Sequence, residues 1–186
     1  MAIRAYFPKK NIPLKYSKQK NQGAPTARNN GFNLSTGEYV LFCDADIEWV
    51  DKAFEIMVAE LKNDPEASYV YPSFKFGWKL FRLWEFDEQK LRKMPYIHPM
   101  ALMYRKDFPG FDPILKKFQD WDLWLTMLEN GHRGKWIDQV LFTMETGGTM
   151  SNWLPGFAYK FFPFLPDVKK YNKAKDIISR KHNLNL

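Results

Sequence analysis

Glu38-Tyr39-Val40-Leu41-Phe42-Cys43-Asp44-Ala45-Asp46 is the stretch on which the fold turns. Residues 39–43 are apolar or aromatic without a break and rich in β-formers, so residues 38–43 read as a buried strand. The run stops at two carboxylates two residues apart, Asp44 and Asp46, where the chain leaves the strand. Downstream, Val50, Phe54, Met57, Val58 and Leu61 recur at helical spacing and predict a helix over residues 50–62. Asn63-Asp64-Pro65 stops it. Residues 68–72, 96–105 and 135–144 read as further strands. Helices are predicted over 120–129, closed by Asn130-Gly131, and over the very basic residues 168–182. The aromatic and basic segment 73–93 shows no period and reads as loop or irregular helix. Pro109-Gly110-Phe111-Asp112-Pro113 reads as a turn. Strands alternating with helices predict an α/β protein whose site lies at the C-terminal ends of the strands.

A chain of 186 residues fits one domain, or one domain with a tail. Hydrophobic residues make up 45% and aromatics 17%, too much for global disorder. No run of about 18 apolar residues exists, so no membrane-spanning helix is expected. The first ten residues lack the apolar run and cleavage site of a secretory signal. Cys43 is the only cysteine, which removes a disulfide framework and a cysteine zinc site and points to a reducing, cytoplasmic compartment. The net charge of +7 is uneven: residues 1–30 hold seven basic side chains and no acidic one, while residues 31–150 hold 14 basic and 19 acidic. Basic ends suit an anionic partner, and equally a solvated surface. No nucleic-acid recognition pattern accompanies them, so no nucleic-acid partner is expected.

The paired carboxylates carry the chemistry. Carboxylate oxygens are hard ligands that suit Mn²⁺ or Mg²⁺, ions that also hold phosphate oxygens. Asp46 is placed to bind such a metal, or to cap the following helix. Asp44 is placed to bind the metal or a ribose hydroxyl.

Three further motifs stand in order around this pair: Asn21-Gln22-Gly23-Ala24-Pro25-Thr26-Ala27-Arg28-Asn29-Asn30-Gly31, then Gly110-Phe111-Asp112, then Gln119-Asp120-Trp121-Asp122-Leu123-Trp124. Together they resemble the GT-A fold, family 2 glycosyltransferases, from about the N-terminus to Ser151. The resemblance implies a GT-A-like (Rossmann-like) mixed sheet flanked by helices. It implies transfer of a sugar, with inversion, from a nucleotide-sugar donor, expected to be UDP-linked, to a saccharide or lipid-linked acceptor, as in cell-surface polysaccharide assembly. Asp46 and Asp44 would be the metal ligands. Arg28, Asp44, Asn21 and Gly23 would serve the donor side, although Arg28 also suits a structural salt bridge, and Gly23 and Gly31 suit turns and close packing. Asp120 matches the catalytic base, and also suits a helix N-cap. Trp121, Asp122 and His98 are assigned to the acceptor side; for Trp121 a core role takes precedence over stacking on a sugar, and a lone His98 suits a satisfied structural role.

The pattern has departures. Gln119 stands where the family usually has Glu, which removes a negative charge beside the base. The usual first βαβ unit, which grips base and ribose, is missing, so an N-terminally truncated fold is expected. An exposed sheet edge then invites a homo-oligomer or a partner chain to complete the sheet. The expected division is a partial transferase domain over 1–151 and an extension over 152–186, packed on it. Within that extension, residues 153–164 hold six aromatics and a lysine-rich segment follows, a combination that suits peripheral contact at the inner face of a membrane. The alternative function is a catalytically inactive relative that acts as a binding module.

Overall fold

The computed structural model describes residues 14–145 and 164–185. The chain order is α1 (Ala24–Leu34), β1 (Tyr39–Val40), β2 (Ile47–Trp49), α2 (Ala53–Asn63), β3 (Ala67–Phe76), β4 (Lys79–Phe81), α3 (Glu88–Lys93), β5 (Leu102–Tyr104), a 3₁₀ turn (Arg105–Asp107), α4 (Gln119–Glu129), β6 (Arg133–Met144) and α5 (Pro166–Lys181). The strands form one mixed sheet in the order β1-β5-β3-β6-β2, with β4 paired to the end of β3. Only β3 and β6 run parallel; the other pairs are antiparallel.

Two-residue alternation sorts the strand side chains between two cores. Tyr69 and Tyr71 of β3, Met103 of β5 and Phe142 of β6 face the larger core with Trp121 and Trp124 of α4. Val70, Leu102, Ile137 and Leu141 face the other way, onto Ala53, Met57 and Leu61 of α2. The sheet is therefore buried on both faces, as the apolar runs predict. The tryptophan side chains anchor α4 by hydrogen bonds as well as area: Trp121 Nε1 donates to Leu91 O at 2.6 Å, and Trp124 Nε1 to Ile97 O at 3.0 Å. Aromatic burial with the polar atom satisfied is what makes such residues good core anchors.

Several expected elements change extent. The strand expected over 38–43 is regular only at Tyr39–Val40, and the one over 96–105 only at Leu102–Tyr104. Segment 73–93 carries the end of β3, the hairpin to β4 and the short helix α3. Asp87 caps α3 by accepting from Lys90 N at 2.9 Å. The motif at residues 21–31 opens a helix over 24–34 that the sequence reading does not predict. In α2 the buried stripe is Ala53, Met57 and Leu61, while Val50 and Phe54 are exposed; the helix is rotated relative to the expected face. Gly31 has open space around it, so the close-packing role does not hold. The expected basic helix appears as α5, which buries Val168 and Ile178. Residues 153–163 of the aromatic run, and residues 1–13 of the basic N-terminal segment, lie outside the described residues.

Gly134 in β6 marks the tightest packing. A Cβ there would press on the Tyr69 ring, 2.7 Å from its Cζ, and lie 3.0 Å from Tyr71 Cε1. Both rings are buried, so neither swings clear. Gly134→Ala is expected to cost about 1–3 kcal/mol through overpacking, read as a lower urea midpoint with an unchanged m-value.

Candidate active site

The motif residues converge because short turns place them at one end of the sheet. Asn21 Oδ1 accepts the Gly23 N–H at 3.1 Å, an Asx turn that starts α1. Gly23 sits at φ 88° as the N-cap, a backbone region that favours glycine. Both residues are exposed, and what they visibly do is build this turn. One turn into α1, Asn29 makes a two-way clamp on the Gly110-Phe111-Asp112 turn: its Nδ2 donates to Phe111 O at 2.8 Å and its Oδ1 accepts Phe111 N–H at 2.9 Å. Gly110, at φ 96°, lets the backbone bend into that clamp.

Arg28 lies beside Asn29 on α1 and reaches the acidic turn. Its Nη2 donates to Asp44 Oδ1 at 2.9 Å, and its Nη1 approaches Gln119 Oε1 at 3.5 Å. Its guanidinium also stacks 5.3 Å from the Phe111 ring centroid. What Arg28 visibly does here is orient the acidic turn through Asp44. Asp44 is 40% exposed, so the pair is not a buried structural bridge. Asp46 is exposed and holds the turn to the end of β6, where its carbonyl accepts Glu145 N–H at 3.4 Å. It does not cap α2: β2 intervenes, and the N-cap is Lys52.

Asp120 occupies the first turn of α4. The N-cap is Phe118, in the left-handed region at φ 59°, so the N-cap alternative for Asp120 does not hold. A non-glycine residue there is strained by about 1–3 kcal/mol. Burial pushes the Asp120 carboxyl above its ordinary range, against hydrogen bonds from its own and the Trp121 backbone N–H and the pull of Arg28; Asp44 adds to the rise. Asp120, Arg28 and Asp44 therefore share one electrostatic neighbourhood. Gln119, the departure from the family pattern, uses its amide both ways: Nε2 donates to Leu115 O at 3.0 Å while Oε1 faces Arg28. A glutamate has no donor for that carbonyl.

His98 belongs to the same end. Its ring lies 5.4 Å from Phe74 and 5.6 Å from Phe142, centroid to centroid. Burial lowers its pKa to about 4; Asp44 and Asp46 pull upward and Arg28 downward. Met100 N–H donates to Nδ1 at 3.3 Å, so the neutral ring keeps its proton on Nε2.

Two acceptor-side expectations are corrected. Trp121 is 1% exposed, with its indole N–H bound to Leu91 O, and has no face left for a sugar. Asp122 is 2% exposed and turned away to Lys181 and His182 of the C-terminal segment. The network around Asp122, and the Asn29 clamp, escaped the sequence reading. The only available signal was that Asn29 and Asp112 stand inside the quoted motifs. An open feature at this end is Trp78, 91% exposed at the β3–β4 hairpin, whose Gly77 N–H donates to Met144 O at 2.9 Å. A cavity of about 580 Å³ lined by Asp64, Phe86, His132 and Arg133 lies at the start of β6 instead, the opposite end from the acidic turn.

Among the described residues no group of three His, Cys, Asp or Glu side chains is arranged to hold a metal. The turn does offer the exposed Asp46 carboxylate and the part of Asp44 that Arg28 leaves. One or two carboxylates fit Mn²⁺ or Mg²⁺ when a diphosphate and water complete the shell, and do not fit a metal bound by protein alone.

The arrangement of sheet and helices is similar to that of solved GT-A glycosyltransferases. S. aureus TarS, residues 1–349 in complex with UDP-GlcNAc, superposes with a TM-score of 0.66 at 16% identity, over 99% of this chain and 54% of that one. The mannosyltransferase PcManGT from Pyrobaculum calidifontis, in complex with GDP-Man and Mn²⁺, gives 0.59 at 21% identity, over 80% of this chain and 44% of that one. An uncharacterized glycosyltransferase of Methanocaldococcus jannaschii is 23% identical over 152 residues, 75% of this chain and 52% of the relative. The profile of glycosyl transferase family 2 matches residues 2–120, and the chain belongs to that family. It spans about half the length of the relatives it matches.

Proposed function

We propose that this chain transfers a sugar from a nucleotide-sugar donor, UDP-linked, to a saccharide or lipid-linked acceptor with inversion at the anomeric carbon. The observation that carries this reading is Asp120: a carboxylate raised in pKa by burial, in one electrostatic neighbourhood with Arg28 and the Asp44 turn. A base works best when its pKa approaches the working pH. Asp120 takes the proton of the acceptor hydroxyl as that oxygen bonds to the anomeric carbon. The bond from that carbon to the diphosphate oxygen breaks, and the nucleoside diphosphate leaves with the electron pair. Asp46 and Asp44 would hold Mn²⁺ or Mg²⁺, which supplies neutralisation of the charge growing on the diphosphate. Arg28 keeps Asp44 oriented. His98 offers a neutral N–H donor, and the exposed Trp78 a stacking face, on the acceptor side.

A second reading, a binding module without turnover, is favoured by the Arg28 pairing that occupies Asp44 and by Gln119 in place of Glu. Calorimetric titration with UDP and with GDP, with and without Mn²⁺, separates the two. The transferase reading expects metal-dependent binding that weakens at least about tenfold in Asp46→Ala, a loss of roughly 1.4 kcal/mol or more. Absence of binding at millimolar nucleotide would leave the binding module.

Two partner readings accompany the first. Among the described residues β1 pairs only with β5, so its outer edge is open to a strand from a second copy or a partner chain. Sedimentation as a monomer at all concentrations would remove that idea. Lys169, Lys170 and Lys173 are exposed on α5 and suit anionic lipid at the inner face of a cytoplasmic membrane. No helix among the described residues is long and apolar enough to cross one. Co-sedimentation with anionic vesicles that survives loss of these charges would count against lipid contact.

A further inference from the structure

The C-terminal helix touches the scaffold of the site at three places. Tyr171 packs edge-on against Phe118, the strained residue two positions before Asp120, at 5.1 Å between centroids. Lys181 Nζ bridges two motif carboxylates: it lies 2.8 Å from Asp112 Oδ2, and 2.8 Å and 3.0 Å from Asp122 Oδ1 and Oδ2. His182 is buried between two carboxylates of α4, with Nε2 2.9 Å from Asp122 Oδ1 and Nδ1 2.9 Å from Glu129 Oε1. An imidazole that meets a carboxylate at each nitrogen donates from both, and so carries a proton on each.

These contacts join parts that the rest of the fold leaves to loops. Asp112 belongs to the turn clamped by Asn29, next to Arg28. Asp122 lies two residues after Asp120, in the first turn of α4. Arg28 touches Asp44 from one side, and Lys181 ties the Asp112 turn to α4 from the other. The ring of contacts runs Asp44, Arg28 and Asn29 of α1, Phe111 and Asp112, Lys181, then Asp122 and Asp120 of α4. Cutting it at Lys181 frees the Asp112 turn from α4, whose first turn then rests on Trp121, Gln119 and the strained Phe118 N-cap.

We propose that Lys181 and His182 are positioning residues: by locking Asp112 and Asp122 together they hold the first turn of α4, and with it Asp120, in register with the Asp44 turn. The proposal rests on the reading of Asp120 as base for its effect on turnover, and is independent of that reading for its effect on structure. His182 also makes the clasp pH-dependent. The two carboxylates outweigh the opposing cost of burial and raise its pKa, and Asp122, Glu129 and the neighbouring Lys181 are the charged groups around it. A raised folded-state pKa gives stability that is present below the unfolded value near 6.5 and is lost as pH rises through the folded value.

The test uses the full chain, with Lys181→Met as the first variant because that side chain is partly exposed, and His182→Asn as the second. Hydrogen exchange is read amide by amide. Expected is a loss of protection of about tenfold or more over residues 110–112 and 118–124, with β3 and β6 unchanged. Where the wild-type chain turns over, kcat is expected to fall about tenfold to a hundredfold with the nucleotide Kd unchanged, as misplacement of a base would give. Protection of the first turn of α4 that stays at the wild-type level in Lys181→Met overturns the proposal. So does a uniform loss across β3 and β6, which would mark a general stabilising role. Should Asp120 prove not to be the base, the exchange result still stands or falls by itself.

Discussion

Asp120→Asn is expected to lower turnover by about 10²–10⁴-fold, the usual contribution of a positioned base. Nucleotide affinity should stay nearly unchanged, because the amide keeps the carbonyl oxygen that accepts the backbone N–H groups. The accompanying stability change has a definite sign. Burial raises the Asp120 pKa, so the folded chain holds this proton more tightly than the unfolded one. Stability therefore falls as pH climbs from the unfolded value through the folded one, and at neutral pH the ionised carboxylate is a net burden. Removing the charge should leave Tm equal or higher while activity is lost. A merely structural Asp120 would show the opposite, a lower Tm. The wild-type kcat profile should show its acid limb above the ordinary aspartate value of 3.8, since only the deprotonated carboxylate accepts a proton. Paired thermal melts and turnover assays across pH decide this.

Trp124→Ala is the largest stability effect expected. The side chain is fully buried, stacks on Tyr69 at 4.4 Å between centroids, and its indole N–H satisfies Ile97 O. Truncation removes a large apolar volume and leaves that carbonyl unpaired. Loss of a buried Trp costs about 3–5 kcal/mol, which is roughly a fifth or more of the whole stability of a typical domain. Urea titration followed by far-UV circular dichroism should show a sharply lower midpoint, or an unfolded chain at 37 °C. The same helix carries Asp120, so transfer activity should fall with the folded fraction and not independently of it. A midpoint close to wild type would mean that the larger core is assembled differently.

The two tryptophans of the Asp120-Trp121-Asp122-Leu123-Trp124 segment show what could be read in advance. The apolar spacing predicts the helix, and it forms over Gln119–Glu129 within one residue of expectation. Helical periodicity is local, and a strong stripe reports itself whatever lies opposite. The face each residue takes is a different matter. Trp121 was open to either sugar or core, and the pocket formed by Leu91, three elements away in the larger core, decided for the core. Asp122 fared similarly. An aspartate on a helix N-terminal turn beside a sugar-binding motif reads as a ligand, until a lysine and a histidine about sixty residues later fold onto it.

The acidic turn illustrates the same boundary. Two aspartates after an apolar run mark the exit of a buried strand; the chain leaves the sheet earlier, after Val40, and rejoins it at Ile47, just past Asp46. The sequence cannot show that Arg28 takes one oxygen of Asp44 and leaves Asp46 exposed, because the pair arises from α1 packing across the turn. Nor can it assign strand extents: β1 is regular for two residues because only Tyr39 and Val40 find partners on β5, and pairing is a property of the neighbour as much as of the strand.

What the chain determined by itself was local: which segments are apolar at period two or near 3.6, where glycine and proline interrupt them, and which acidic motifs stand in family order. Those features follow from side chains a few residues apart. What only the tertiary structure decided was the partnership of each polar group: Asp44 with Arg28, Asp122 with Lys181 and His182, and His98 placed as a neutral ring beside both acidic residues. These depend on desolvation and on charges brought together from distant segments, and neither exists until the sheet and its helices have packed.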